Sequence, residues 1–225
     1  MDGRWHYIVD GLKVTLEVTL FCGASGTIAL GVIIAIIRST YDKNKSSMRG
    51  FSKFIVVLLN FICKIYLTVI RGTPVVVQLM IMYFIVLVSS TNKVLVAVLA
   101  FGFNSAAYVA EIFRSGIMSI DEGQFEAGRS LGFNYVQTMR YIIIPQAFKN
   151  VLPALANEFI VLLKETSVAG YVGLADLTKG GDIIRSRTFQ AFMPLIGVAV
   201  IYLVMVMFFT WLVGILERRL RDSER

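Results

Sequence analysis

Histidine occurs once in 225 residues, at position 6, and cysteine only twice. A single histidine beside the N-terminus, with no ligand cluster around it, leaves no room for a Ser/His/Asp hydrolase site or a histidine-built metal centre. No G-x-x-x-x-G-K-[ST] loop is present either, so the chain cannot cradle the phosphates of ATP by itself. Cys22 and Cys63 each sit inside an apolar run. They read as small buried hydrophobes and not as a disulfide pair. Charge is also scarce, at 16% of residues. Together these absences argue against an enzyme.

Apolar residues fill the space. They make up 56% of the chain, with a mean hydropathy of +0.72, against about 45–50% in soluble domains. A soluble fold of this size would expose much of that surface, so the composition predicts a multi-span, all-α membrane protein. The net charge of +7 would suit a nucleic-acid partner if the cations were clustered on one face. They are instead sorted by loop, which is the pattern of membrane topology. No nucleic acid is expected. There is no internal repeat and no low-complexity tract. The first ten residues are mixed polar and the first apolar run is long enough to span, so no cleavable leader is evident.

Spans follow from run lengths, since about 20 residues cross a bilayer. The first is Val14–Ile37. The stretch Arg38–Lys53 then carries Arg38, Lys43, Lys45, Arg49 and Lys53 against Asp42 alone, and is therefore expected on the cytoplasmic side, with the N-terminus outside. Phe54–Ile70 contains Lys64 and runs into Gly72-Thr73-Pro74, where Pro74 suits the first turn of a new helix. It is read as a helix along the inner interface that feeds a second span at Val75–Ser90. One long kinked span within residues 60–90 is the alternative, with the same parity. Further spans are expected at about 94–117, Val151–Val172 and Phe189–Leu216, with the C-terminus cytoplasmic. Of 22 Lys+Arg, 15 then fall inside and six outside, and that asymmetry supports five crossings.

One segment departs from this pattern. Ser119-Ile120-Asp121-Glu122 has the form of a capping box, with Ser119 as N-cap. A helix from about Ile120 to Leu131 follows, closed by Gly132 in the left-handed conformation. Asn134 can cap a second helix, with Gln137 at its third position, running to Pro145 as its stop. Two short helices joined by a glycine hinge between apolar spans suit docking better than core packing. Within them, Glu126-Ala127-Gly128, Gly132, Ile142 and Ile144-Pro145 resemble the "EAA" signature of ABC-importer permeases, which is E-A-A, three residues, Gly, nine residues, I-x-L-P. Two positions depart from it: Gly128 stands for Ala and Ile144 for Leu. Arg71 to Leu79 and Ala106 to Gly132 are similar to the polar-amino-acid branch of these permeases, and the resemblance spans roughly residues 10–220.

The resemblance implies a type I ABC importer permease fold in a single transmembrane domain, residues 1–225. The coupling segment would cover about 119–145, with Glu126, Ala127, Gly128, Gly132, Ile142 and Pro145 as ATPase-coupling residues. It also implies a separate cytoplasmic ATPase that binds ATP and magnesium, with no cofactor in this chain. A second permease copy or close paralogue, an extracellular or periplasmic binding protein and a polar amino-acid solute complete the set, in a prokaryotic cell membrane. The competing readings are the same machine for another small solute, or a secondary transporter or membrane scaffold, for which 120–144 would be merely a loop.

Polar residues inside spans carry the remaining information. An ionised side chain at mid-bilayer costs at least about 2.5–3.5 kcal/mol, so it faces protein or water. Asn157, Glu158, Lys164 and Glu165 fall in the fourth span, with Lys164 roughly 20 Å above residue 151 at 1.5 Å per residue. Glu158 and Glu165 are seven apart and share a face, as do Asn157 and Lys164 on the next stripe. Asn104, Tyr108 and Glu111 form a second polar stripe. Glu158, Lys164, Glu165, Asn157, Asn104 and Tyr108 are the candidate solute path. The alternative is structural: Lys164 would pair with an acidic neighbour, and Glu111 with Arg114 three residues on.

Overall fold

A computed structural model describes residues 4–24, 26–44 and 49–222. Every regular element in them is helical: α1 (Trp5–Ala24), α2 (Thr27–Asn44), α3 (Gly50–Gly72), α4 (Val75–Ile81), α5 (Lys93–Met118), α6 (Glu122–Ser130), α7 (Tyr135–Thr138), α8 (Ile144–Glu165), α9 (Leu177–Thr188) and α10 (Phe192–Asp222). Helices satisfy their own backbone hydrogen bonds, which a lipid environment demands. Among the described residues four stretches are long and apolar enough to cross a membrane: Trp5–Lys43, Gly50–Gly72, Lys93–Met118 and Phe192–Leu220.

α5 is the axis of the bundle. Two thirds (67%) of its most apolar window is buried, against 6% for that of α10 and 11% for that of α3. Phe101, Ala97 and Val98 pack with Val18, Cys22, Leu79 and Leu162, while Ala107 and Ala110 meet Ile34, Cys63 and Leu67. A third cluster joins Ala35, Val109, Phe113 and Val151. Both cysteines are buried and neither forms a disulfide; Cys22 Sγ donates to Val98 O at 3.4 Å. The uncovered faces of α3 and α10 are apolar, as surfaces against lipid or another subunit are.

Several expected boundaries move. The first apolar stretch begins at Trp5, ahead of Val14, and it divides. Gly26 has φ +81°, and Thr27 Oγ1 donates across the break to Cys22 O at 2.7 Å. Arg38 and Lys43 belong to α2, not to a loop, and Lys45 lies outside the described residues. Phe54–Ile70 is part of one longer helix, α3, and Pro74 is the N-cap of α4 instead of standing in its first turn. α4 has seven residues and continues as a five-residue π-turn, Met82–Val86. That makes about 18 Å at 1.5 Å per residue, too short to cross alone. Gln78 Nε2 bridges the α3–α4 break to Ile70 O (2.7 Å) and Thr73 O (3.0 Å), so the two helices form a kinked unit within residues 50–86. The kink is that of the alternative reading, but the unit begins ten residues earlier and α3 by itself is long and apolar enough to cross. α8 ends at Glu165, followed by a 3-10 turn to Val172, and α10 starts at Phe192, after α9.

α9 has no counterpart among the expected elements. Asp176 caps it, accepting from the amides of Thr178 (3.0 Å) and Lys179 (3.2 Å). Burial nonetheless raises the Asp176 carboxyl above its ordinary range. Leu177 N–H donates to Thr15 Oγ1 at 3.1 Å, which fixes α9 against α1.

Candidate solute cavity and two-helix segment

The segment after α5 forms two short helices, with different caps than expected. α5 runs one residue past its expected end and takes Ser119 as its C-cap, with Ser119 Oγ donating to Gly116 O at 2.8 Å. Ser119 is therefore not the N-cap of α6. Asp121 does that work, accepting from Gly123 N–H at 2.7 Å. Gly132 has φ +79°, the left-handed conformation its position called for. The Asn134–Gln137 capping box is present in both directions, each bond 2.9 Å.

Pro145 does not stop the second helix. A π-turn over Met139–Ile143 follows α7, and the chain passes directly into α8 with Pro145 in its first turn, where no intrahelical donor is required. The wider turn is what lets the helix run through.

Glu126 and Ala127 are exposed, Pro145 exposed and Ile142 half-buried. Gly128 is buried, and a Cβ there would lie 2.7 Å from Thr138 Cγ2 and Oγ1. The departure from Ala at this position matches the close approach of α6 and α7. Around Gly132 lie Leu131 and Val136, each 70% exposed, an apolar pair that sequence reasoning passed over although both sit within the segment. On the other side, Phe125, Met139 and Ile143 pack with Ile117, Ile120 and Ala147. The segment thus has one face anchored and one face open.

Between α5 and α8 lies a cavity of about 410 Å³ whose lining includes Arg71, Tyr108, Glu111, Asn150, Ala154 and Glu158. An adjoining space of about 480 Å³ shares Arg71 and Tyr108 and adds Arg38 and Lys64. Glu158 accepts from Ser105 Oγ at 3.0 Å. Asn104 is buried and donates to Gln78 Oε1 at 2.9 Å, while its own carbonyl oxygen has no hydrogen-bond partner among the described residues. The Arg71 guanidinium lies 5.5 Å from the Tyr108 ring centre.

Glu111 is the hub of an ion cluster. It accepts from Arg114 Nε at 2.9 Å and from Arg38 at 3.1 Å, and Arg71 stands 3.9 Å away. Arg114 also meets Asp42 at 3.3 Å. The i,i+3 pair of the structural alternative is there, but three helices contribute to the cluster around it. Tyr108 and Glu158 thus line one cavity, whereas Asn104, buried against Gln78, lies outside the lining. Asn157 and Lys164 are exposed on α8 and Glu165 is half-buried; Lys164 has no ion pair with any described residue. Arg71, Gln78 and Ser105 were missed as site residues, although Arg71 and Gln78 lie in the run already singled out.

An all-helical membrane bundle with a charged cavity and an open two-helix segment defines a solute-conducting membrane subunit. Residues 27–222 match the family model described as "Binding-protein-dependent transport system inner membrane component", and the chain belongs to that family of ABC-importer permeases. It is similar to the arginine transport system permease protein ArtQ of Bacillus subtilis, at 36% identity over 97% of this chain and 94% of ArtQ. It is also similar to the glutamine transport system permease protein GlnP of Escherichia coli K12, at 34% identity over 95% and 93%. A solved amino acid ABC transporter with histidines has a chain 41% identical, with a TM-score of 0.77 over 95% of this chain and 94% of that one. The methionine transporter MetNI, at 17% identity and TM-score 0.81 over 98% and 99%, shares the type I importer permease fold.

Proposed function

We propose that this permease conducts a polar amino acid through the α5–α8 cavity, driven by a separate cytoplasmic ATPase docked on α6 and α7. The observation that carries the reading is the cavity itself, in which Glu158 and Arg71 present both charge signs between lipid-compatible helices. An uncompensated ionised group there costs at least about 2.5–3.5 kcal/mol, which favours a solute that answers both signs. Tyr108 would contact it in the cavity, with Asn104 buried behind the lining and bonded to Gln78. Asn157, Lys164 and Glu165 would line its route along the side of α8 that this chain leaves uncovered, where a second permease copy or close paralogue closes the path.

Glu126, Ala127, Gly128, Gly132, Ile142 and Pro145 shape or present the docking face, and Leu131 and Val136 supply apolar contact. ATP and magnesium are bound by the ATPase, and an extracellular or periplasmic binding protein delivers the solute. The whole chain acts as one transmembrane domain in a prokaryotic cell membrane, with the N-terminus outside and the C-terminus cytoplasmic. Arginine and glutamine are the first solutes to try, given the relatives. Proteoliposomes holding the permease, its ATPase and the binding protein should accumulate one of them only with ATP on the ATPase side. Uptake without ATP would overturn the proposal.

A further inference from the structure

Lys43 lies in the last turn of α2, where a helix-end cation ordinarily points into water. Its side chain is instead only 10% exposed, and its ammonium donates to Glu122 Oε1 at 2.9 Å. The same ammonium sits 3.7 Å from the centre of the Phe125 ring. Glu122 and Phe125 are three apart on α6 and so share a face, and Phe125 is anchored in the cluster under that helix. An ion pair and a cation–π contact thus grip one lysine from one helix.

The neighbouring turns of α2 extend this grip inward. Asp42 meets Arg114 on α5 at 3.3 Å, and Arg38 meets Glu111 at 3.1 Å while lining the space shared with Arg71 and Tyr108. Along the chain α6 is connected to α5 before it and, through α7, to α8 after it. α2 has no such covalent link, being 79 residues away at the Lys43–Glu122 pair.

We propose that Lys43 is a positioning residue that makes α2 and α6 move as one body. Displacement of α6 by the ATPase is then delivered to the cavity wall at Arg38 through α2, besides the direct routes along α5 and α8. The inference rests on the reading of α6 as the docking helix.

The test compares wild type, Lys43→Met, Glu122→Gln and Lys43→Arg as permease–ATPase complexes in proteoliposomes. With the solute-binding protein supplied on the side opposite the ATPase, uptake of labelled arginine or glutamine and ATP hydrolysis are measured together. Lys43→Met keeps the alkyl stem and removes the charge; Glu122→Gln acts at a carboxylate that is 77% exposed and leaves the fold unburdened. The ATPase should co-purify at wild-type yield with all four. Solute taken up per ATP hydrolysed should fall about fivefold or more in Lys43→Met and Glu122→Gln, the lower end of ordinary coupling between sites, and stay near wild type in Lys43→Arg. An unchanged ratio in both charge-removing variants overturns the inference, whether or not the yield of complex drops. Failure of the ATPase to bind wild type would instead remove the docking reading, and is visible before any variant is made.

Discussion

The hydroxyl of Ser105 donates to a carboxylate oxygen of Glu158 at 3.0 Å, and this bond joins the two helices that wall the cavity. It also orients Glu158, whose remaining acceptor capacity stays open to whatever enters. Under the proposed path, this carboxyl, held by one neutral donor and with no ion pair of its own among the described residues, is where a cationic group of the solute would pair. Glu111 is the contrast, since Arg38 from α2 and Arg114 from its own helix already satisfy it.

Replacing Glu158 by the near-isosteric Gln removes charge with little change in volume. Uptake should fall by about tenfold or more, equivalent to ~1.4 kcal/mol, while the yield and thermal stability of the complex remain as in wild type. Normal uptake with lowered stability would make Glu158 a packing residue.

Gly132 and Gly128 separate two kinds of constraint in the docking segment. At φ +79°, Gly132→Val meets a backbone penalty of about 1–2 kcal/mol and should abolish ATPase co-purification while leaving the permease in the membrane. Gly128→Ala should weaken that association through its clash with Thr138, and Thr138→Ala in the same chain should restore most of it. Failure of the second change to help would remove the explanation for Gly128.

Glu111→Gln leaves Arg38, Arg71 and Arg114 without their shared counter-charge. Loss of one partner from a fully buried pair costs about 3–5 kcal/mol. These side chains are 21–43% exposed, so solvent screening reduces the loss to about 1–3 kcal/mol. The melting temperature of the purified permease should drop clearly, and more than in Glu158→Gln. An equal or smaller drop would show that the cluster contributes little to stability.

Topology is checked with single cysteines in place of Glu126 and Asp182. Asp182 sits on α9, where Arg185 and then Lys179 hold its carboxyl below the ordinary range. A membrane-impermeant thiol reagent should reach position 126 only from the cytoplasmic side and position 182 only from outside. Labelling of both from one side would break the assigned crossings.

Much of this was legible in local pattern. The apolar runs marked the long helices, and Gly132 and the Asn134–Gln137 box were readable because each depends on a few adjacent residues. Ser119 misled because two helices competed for it: the end of α5 claimed it as a C-cap, leaving Asp121 to open α6. Pro145 misled because a π-turn, which no local residue preference announces, carried the helix past it. The arginine cluster on Glu111 joins residues 40 and 73 positions apart, and Lys43 reaches Glu122 across 79. Spacing along one helix found only the Arg114 partner. Lys164 and Asn157 do share a stripe as their spacing required, but that stripe is an exposed face of α8.

The most direct measurement of the central claim uses Ala154, a small residue lining the cavity beside Glu158. In a background with Cys22 and Cys63 replaced by Ala, Ala154→Cys is reacted with a small water-soluble thiol reagent in the assembled, transporting complex. If a polar amino acid travels through this cavity, the transported solute slows labelling in a concentration-dependent way, and a non-transported amino acid does not. Labelling at the same rate with and without solute, in a complex that still accumulates it, would place the route elsewhere.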